Sequence, residues 1–209
     1  MSGMTFVISA PSGTGKTTVC QNLIAQDDKL RFSVSHTTRK PRLGEMDRVN
    51  YHFVDEVEFN RLVAEEAFLE SARYAGNLYG TSFAAIRGTL EAGRDIMLEI
   101  EVQGAQLIRN RKFEAVFIFL LPPSMEILEQ RLRDRGTDTE ELIKQRLSEG
   151  NAEITMAKIF DYAVINDKLL NTVEQVQEII CAERTGEIKD VRARFGVAKV
   201  LENWLRLVE

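Results

Sequence analysis

The feature that most constrains this chain is the segment Ser9-Ala10-Pro11-Ser12-Gly13-Thr14-Gly15-Lys16-Thr17-Thr18, set directly behind the apolar run Phe6-Val7-Ile8. The run predicts a buried strand over Thr5–Ser9. Val19, Leu23 and Ile24 share one face of a helix predicted over Lys16–Gln26. Between them lies a polar, glycine-rich turn. Its spacing fits the phosphate loop G-x-x-x-x-G-K-[ST], with Ala10 at the first glycine and Gly15, Lys16 and Thr17 in register. Such a loop turns backbone N–H groups inward, which small residues and glycines allow. The helix start behind it favours negative charge. Lys16 would reach the β- and γ-phosphates of a nucleotide, and the Thr17 hydroxyl would meet Mg²⁺. The plain alternative is a turn that only caps a helix.

Further apolar strands are predicted over 95–100 and 114–121, with helices over 105–109 and 124–133 behind them. A short strand over 163–165 and a helix over 172–183 close the pattern. Alternation of this kind predicts an α/β fold, a parallel sheet flanked by helices. Two stretches depart from it. Residues 32–82 predict a small, partly β insertion, with strands over 32–35, 50–54 and Phe68–Tyr74 and a helix over 55–65. Residues 136–157 predict a second insertion, charged, exposed and mobile, whose helix starts at the capping-box spacing of Thr137 and Glu140. The tail 185–209 carries the amphipathic set Ile188, Val191, Phe195, Val200, Leu201, Trp204, Leu205 and Val208, punctuated by Gly186 and Gly196.

The 209 residues suffice for one medium domain, and their 44% hydrophobic share can bury a core. A net charge of −5 argues against a broad nucleic-acid footprint. The local basic clusters Arg39-Lys40-Pro41-Arg42 and Arg131-Leu132-Arg133-Asp134-Arg135 suit a small anionic ligand better. Cys20 and Cys181 lack metal-ligand spacing and fit a reducing compartment. The longest apolar run, 116–121, is far short of a membrane span, and no signal peptide is visible. The expectation is a cytoplasmic protein without nucleic-acid or membrane partners.

The guanine-reading Asn-Lys-x-Asp of switch GTPases is absent; Asn166-Asp167-Lys168 has the wrong order. Instead, Ser12–Thr17 is followed by a fixed succession. It runs through Ser33-Val34-Ser35-His36-Thr37-Thr38-Arg39-Lys40-Pro41-Arg42-Leu43-Gly44-Glu45, Tyr51-His52-Phe53 and Phe68-Leu69-Glu70. Gly76-Asn77-Leu78-Tyr79-Gly80-Thr81 and Leu98-Glu99-Ile100-Glu101-Val102-Gln103-Gly104 come next, then Arg131–Gly136 and Arg146. In this order and spacing the chain resembles the guanylate kinase family from about residue 4 to residue 184. The resemblance implies a single domain over 4–184. Its P-loop NTPase core would comprise 4–31, 83–135 and 158–184, with a GMP-binding lobe over 32–82 and a helical lid over 136–157. The tail 185–209 lies beyond it. The implied reaction moves the γ-phosphoryl group of ATP to GMP or dGMP, giving ADP and GDP, with Mg²⁺.

The resemblance also distributes roles. Ala10, Pro11, Ser12, Gly13, Thr14, Gly15, Lys16, Thr17 and Thr18 would hold the donor phosphates, with Asn166 either near adenine or capping a loop. Arg39 and Arg42 would take the GMP phosphate, since a guanidinium fork matches its oxygens, and Tyr51 and Tyr79 could add hydroxyl donors. Glu70 and Glu101 would accept from guanine N1–H and N2–H₂. Ser35 would donate to O6, and Thr81 stands where the family has a serine. Glu101 departs from the family, which usually has Asp there. Glu99 reads equally as a carboxylate near Mg²⁺ and as an organiser of the loop. Lys16, Arg131, Arg135 and Arg146 would supply positive charge to the transferred group. Arg133 and Lys144 read as solvated surface, and His36 carries no role. A guanylate-kinase-like protein-interaction module and a kinase for another phosphate ester are the rival readings. The working loop and the arginines speak against the first, Ser35 and Glu70 against the second. An exposed apolar tail would dock on the core or, as the favoured expectation, on another subunit of a homo-oligomer.

Overall fold

The computed structural model describes residues 2–74, 76–134, 136 and 138–208. Nine strands and nine α-helices are resolved among them. The parallel sheet is built from β1 (Thr5–Ser9), β2 (Leu30–Phe32), β7 (Asp95–Glu99), β8 (Val116–Leu121) and β9 (Tyr162–Ile165), in the order β2-β7-β1-β8-β9. Alternate residues of each strand enter different cores. Phe6, Ile8, Met97, Ile118 and Leu120 meet Val19 and Leu23 of α1 (Lys16–Gln26) and Val173, Val176 and Ile180 of α7 (Leu169–Thr185). Val7, Ile96, Leu98, Phe117, Phe119 and Leu121 face the other way. They meet Ile86 of α3 (Phe83–Glu91), Ala105 and Ile108 of α4 (Val102–Asn110) and Ile154 of α6 (Glu140–Met156). Burial on both faces is why these strands read as continuous apolar runs.

From β1 the chain crosses toward β2, whereas from β8 it crosses toward β9. The carboxyl ends of β1 and β8 therefore lie at a topological switch point, where open α/β sheets leave a crevice. The glycine-rich turn sits there. Beside it lies a four-stranded sheet in the order β4-β3-β6-β5, made by β3 (His36–Thr37), β4 (His52–Phe53), β5 (Phe68–Tyr74) and β6 (Asn77–Ser82). Helix α2 (Glu56–Ala64) is capped by the Asp55 carboxylate, which accepts from Glu58 N at 2.8 Å. Its Phe59 stacks on Phe68 of β5.

The strand expected over 32–35 is divided. Phe32 closes β2 in the parallel sheet because Leu30 is buried against α1, while Ser35 lies just ahead of β3. Strand β6 and helix α3 went unread. Gly80 interrupts the alternation of β6, whose close fit against Phe68 and Phe59 is visible only in three dimensions. The cap of α6 is Thr139, whose Oγ1 accepts from Leu142 N, not Thr137, which lies outside the described residues. Nor is α6 simply exposed. Ile143 packs on Leu128 and Leu132 of α5 (Met125–Asp134), and Gly150 brings it close to Pro11 and Leu128.

The tail forms α8 (Ile188–Phe195) and α9 (Val197–Val208) after Gly186, which ends α7 in the left-handed region. Val191 and Phe195 join the α1–α7 face, and Leu201 and Trp204 join the other. Trp204 is 2% exposed and its Nε1 donates to Pro122 O at 2.7 Å. These side chains turn onto the chain's own core, which removes the ground for a subunit contact built on them. Leu205 is 50% exposed, and the Val208 side chain lies outside the described set. No described helix is long and apolar enough to cross a membrane.

Candidate functional site

The turn after β1 takes its shape from two glycines. Gly13 and Gly15 have φ of 98° and 102°, where side chains are strained, and a Cβ on Gly15 would lie 2.8 Å from Asn166 Nδ2. Ala10 is not among the described residues with positive φ, so its methyl group fits where the template has glycine. Gly15 is the N-cap of α1, and no side chain there accepts from the first turn. The N–H groups at that end remain available to an anion.

Lys16 Nζ donates to Ile100 O at 2.8 Å and to Glu101 Oε1 at 3.1 Å. Burial alone would lower its pKa, but the Glu101 and Glu99 carboxylates outweigh burial and hold it above the ordinary lysine value. Thr17 Oγ1 donates to Glu99 Oε1 at 2.5 Å. Thr14 is turned inward, and its carbonyl accepts from Asn166 Nδ2 at 2.7 Å and Arg131 Nη1 at 3.1 Å. Asn166 thus braces the loop through the Thr14 carbonyl.

Across the cleft, Arg39 makes a fork with Glu45, Nη1 to Oε2 at 2.9 Å and Nη2 to Oε1 at 2.8 Å. Arg42 N donates to the same carboxylate at 2.7 Å. The Arg39 guanidinium lies 5.4 Å from the Tyr51 ring centroid, and Tyr51 meets Tyr79 edge-on at 6.0 Å. Glu45 stands in the sequence motif that runs on from Arg39, but the resemblance gives it no task. The only sequence signal was a carboxylate six residues after an arginine in one short loop.

Glu70 is 4% exposed, and its Oε1 accepts from Thr81 N at 3.0 Å. Burial raises its pKa against the Thr81 contacts and the Arg111 charge, which lower it. Thr81 Oγ1 lies 3.2 Å from Ser35 Oγ. Room for the carboxylate comes from Gly104 of α4, where a Cβ would stand 2.9 Å from Glu70 Oε2.

The third wall is α6 and the residues before it. Arg146 Nη1 pairs with Asp138 Oδ2 at 3.0 Å. Arg135 lies outside the described residues. Glu153 and Tyr74, neither of which sequence reasoning singled out, share the corner next to Glu101. Burial and the Glu101 charge push the Glu153 carboxyl up to about 8. Burial, with the Glu101 and Glu153 charges, pushes the Tyr74 phenol up to about 12.

Most of the expected residues line one cleft of about 1150 Å³. From the loop come Ala10, Pro11, Ser12, Gly13, Gly15, Lys16, Thr17 and Thr18. Glu99 and Glu101 stand beside the loop, Ser35, Arg39, Arg42, Tyr51, Glu70 and Tyr79 come from the far side, and Arg146 comes from α6. Thr14, Thr81, Asn166 and Arg131 are not among its lining residues and brace those that are. Among the described residues no three His, Cys, Asp or Glu side chains cluster as a metal cage.

A glycine-turned loop and helix start at the switch point of a parallel sheet is the arrangement of the P-loop class of nucleoside-triphosphate-using proteins. Comparison with known proteins narrows the class. The family model for guanylate kinase matches residues 2–183. A guanylate kinase of Neisseria meningitidis serogroup A is 49% identical over 201 residues, covering 96% of this chain and 97% of that protein. One from Halalkalibacterium halodurans is 47% identical over 181 residues, covering 87% and 89%. The crystal structure of guanylate kinase from Anaplasma phagocytophilum superposes with a TM-score of 0.71 at 32% identity, covering 87% of this chain and 86% of that one. The chain belongs to the guanylate kinase family.

Proposed function

We propose that this chain transfers the γ-phosphoryl group of ATP to GMP and dGMP, giving ADP and GDP. The observation that carries the reading is one cleft with two unlike walls. A glycine-capped helix start with Lys16 forms the first, and Arg39, Arg42 and the buried Glu70 form the second. A protein-interaction module would have no use for the first wall.

In this proposal the loop from Ala10 to Thr18 and the start of α1 bind the donor phosphates. Lys16, with Arg131, Arg135 and Arg146, meets the negative charge that spreads over the transferred group. Arg131 and Asn166 fix the Thr14 carbonyl and so the curve of the loop. Arg39 and Arg42, with Tyr51 and Tyr79, seat the GMP phosphate so that its oxygen faces the donor. Glu70 and Glu101 accept from guanine N1–H and N2–H₂, and Ser35, placed by Thr81, serves O6. Adenine has an acceptor at N1 and would leave Glu70 unsatisfied.

The Thr17 hydroxyl and the Glu99 carboxylate, in contact at the loop, are hard oxygen ligands of the number Mg²⁺ takes when phosphates and water complete its shell. Mg²⁺ there would neutralise charge between the outer phosphates. The division into a core (4–31, 83–135, 158–184), an acceptor lobe (32–82) and a lid (136–157) belongs to the same proposal. Lid closure would bring Arg146 inward and exclude water. The free cysteines fit a reducing, cytoplasmic setting. A coupled ADP-release assay across GMP, AMP, CMP and UMP tests the reading. Turnover with GMP far above the others supports it, and equal turnover with all four overturns it.

A further inference from the structure

Lys16 and Glu101 are 85 positions apart in the chain, yet they hold each other. Lys16 opens α1 behind the phosphate loop, and Glu101 is the N-cap of α4 at the end of β7. Their 3.1 Å contact is sheltered, with side chains 11% and 32% exposed. The Glu101 side is crowded with carboxyl groups, since Glu153, with Glu149 near it, stands in the same corner, and Glu101 keeps Glu153 protonated toward neutral pH.

We propose that the Lys16–Glu101 ion pair is a restraint shared by both substrate sites, so that ATP and GMP each bind more tightly when the other is present. The proposal rests on reading Lys16 as a donor-phosphate contact and Glu101 as a guanine contact. When ATP binds alone, Lys16 must turn to the phosphates. Glu101 is then left without its cation beside two other carboxyl groups. Guanine brings N–H donors to that carboxylate and relieves the cost. When GMP binds alone, those donors compete with Lys16 for the same carboxylate and weaken its hold on the ammonium, so ATP finds the lysine freer. The disruption of the pair is met once in the ternary complex but separately in each binary one. By linkage the two enhancements must be equal.

Closure of a lid over both substrates would also produce positive coupling, so the test must separate the two causes. Glu101→Asp does this. It draws the carboxylate back by about 1.5 Å, one bond length, away from Lys16 Nζ, yet keeps an acceptor for guanine and leaves the lid untouched. GMP is titrated calorimetrically into the full chain, alone and saturated with Mg²⁺ and a non-hydrolysable ATP analogue. The reciprocal titration is run as well.

For the unaltered chain GMP should bind roughly 5- to 20-fold tighter with the analogue present, toward the low end of ordinary site coupling. Glu101→Asp should still bind GMP alone but show a ratio below about twofold, and Glu101→Gln should lose the ratio too. A ratio near one in the unaltered chain overturns the proposal. So does a large ratio that survives in both variants, since lid closure then accounts for all of it. The site reading fails separately and shows in the single-ligand constants. It fails if Glu101→Ala leaves GMP affinity unchanged or Lys16→Met leaves analogue affinity unchanged.

Discussion

The two sheets of this molecule are held together differently. The parallel sheet is sealed on both faces, and Val116 to Leu121 is buried at every position. The four-stranded sheet has two strands of only two residues, and β4 has neither residue fully buried. Its buried part is confined to one end of β5 and β6, and polar pairs such as Glu70 with Thr81 N, and Arg39 with Glu45 in the adjoining loop, order the rest. The difference teaches where rigidity is needed. In the proposed function the first sheet anchors the loop for the donor phosphates, a task of fixed geometry. The second, in the same proposal, carries polar groups that must stay presentable to an acceptor, and burying them in apolar surroundings would cost more than the packing returned. Substitutions in the first sheet's cores should therefore be felt in stability, and substitutions in the second in substrate affinity.

The sharpest way to break that contrast is Trp204→Ala, which empties a core position on the parallel sheet and leaves Pro122 O without its donor. The unfolding free energy should fall by about 3–5 kcal/mol, read by denaturant titration, with turnover per folded molecule preserved. A loss of GMP affinity instead would contradict the contrast. Next comes Lys16→Ala, behind the central strand of the same sheet but on the cleft. Its kcat should drop on the order of a hundredfold or more, as for a lost transition-state donor, while GMP binding alone should tighten, because Glu101 loses the cation that competes with guanine. Near-normal turnover would remove Lys16 from the chemistry.

Glu70→Gln moves to the second sheet. It turns an N–H₂ group toward guanine's own donors and should weaken GMP binding by about 1–3 kcal/mol, leaving an ATP analogue untouched in calorimetry. Gly104→Ala should act in the same direction, because its Cβ would crowd Glu70 Oε2. If both nucleotides weaken equally, Glu70 is holding the fold rather than reading a base.

The last prediction concerns pH dependence, to which the second sheet and helix α6 contribute opposite signs. His36 stacks on His52 at 4.5 Å in the second sheet, and burial followed by the His52 charge lowers its pKa to about 4 from 6.5. Between pH 6.5 and 4 the unfolded chain binds the extra proton, so this contribution is lost as pH falls. Glu153 on α6 is raised from 4.5 to about 8. The folded chain binds the extra proton over that range, so this contribution is lost as pH rises from 4.5 to 8. Thermal unfolding of the ligand-free protein should show both limbs. Glu153→Gln should flatten the alkaline limb alone, and an unchanged limb would place its cause elsewhere.

The strand Thr5–Ser9 and the helix Lys16–Gln26 were legible to the residue, because a buried strand, a glycine turn and an amphipathic helix are each local in sequence. The α/β class followed from apolar runs whose two buried faces leave no alternation. The second sheet was legible only in outline. Its strands are too short for a period to develop, and β6 is defined by pairing with β5 rather than by its own residues. Within the cleft, residue types declared their chemistry: a lysine after two glycines, arginines in a loop, a glutamate between apolar neighbours.

Partnership is what the sequence could not state. That Lys16 grips Glu101, that Glu45 takes the fork of Arg39 and that Asn166 and Arg131 meet on the Thr14 carbonyl are contacts that only the folded chain shows, three of them across 85, 152 and 117 positions. The tail makes the same point. Its amphipathic pattern determined that Val191, Phe195 and Trp204 would be covered, but not by what. Periodicity encodes which face of a helix avoids water. The surface that covers it is set by where the helix falls in space, and that is decided by the tertiary structure.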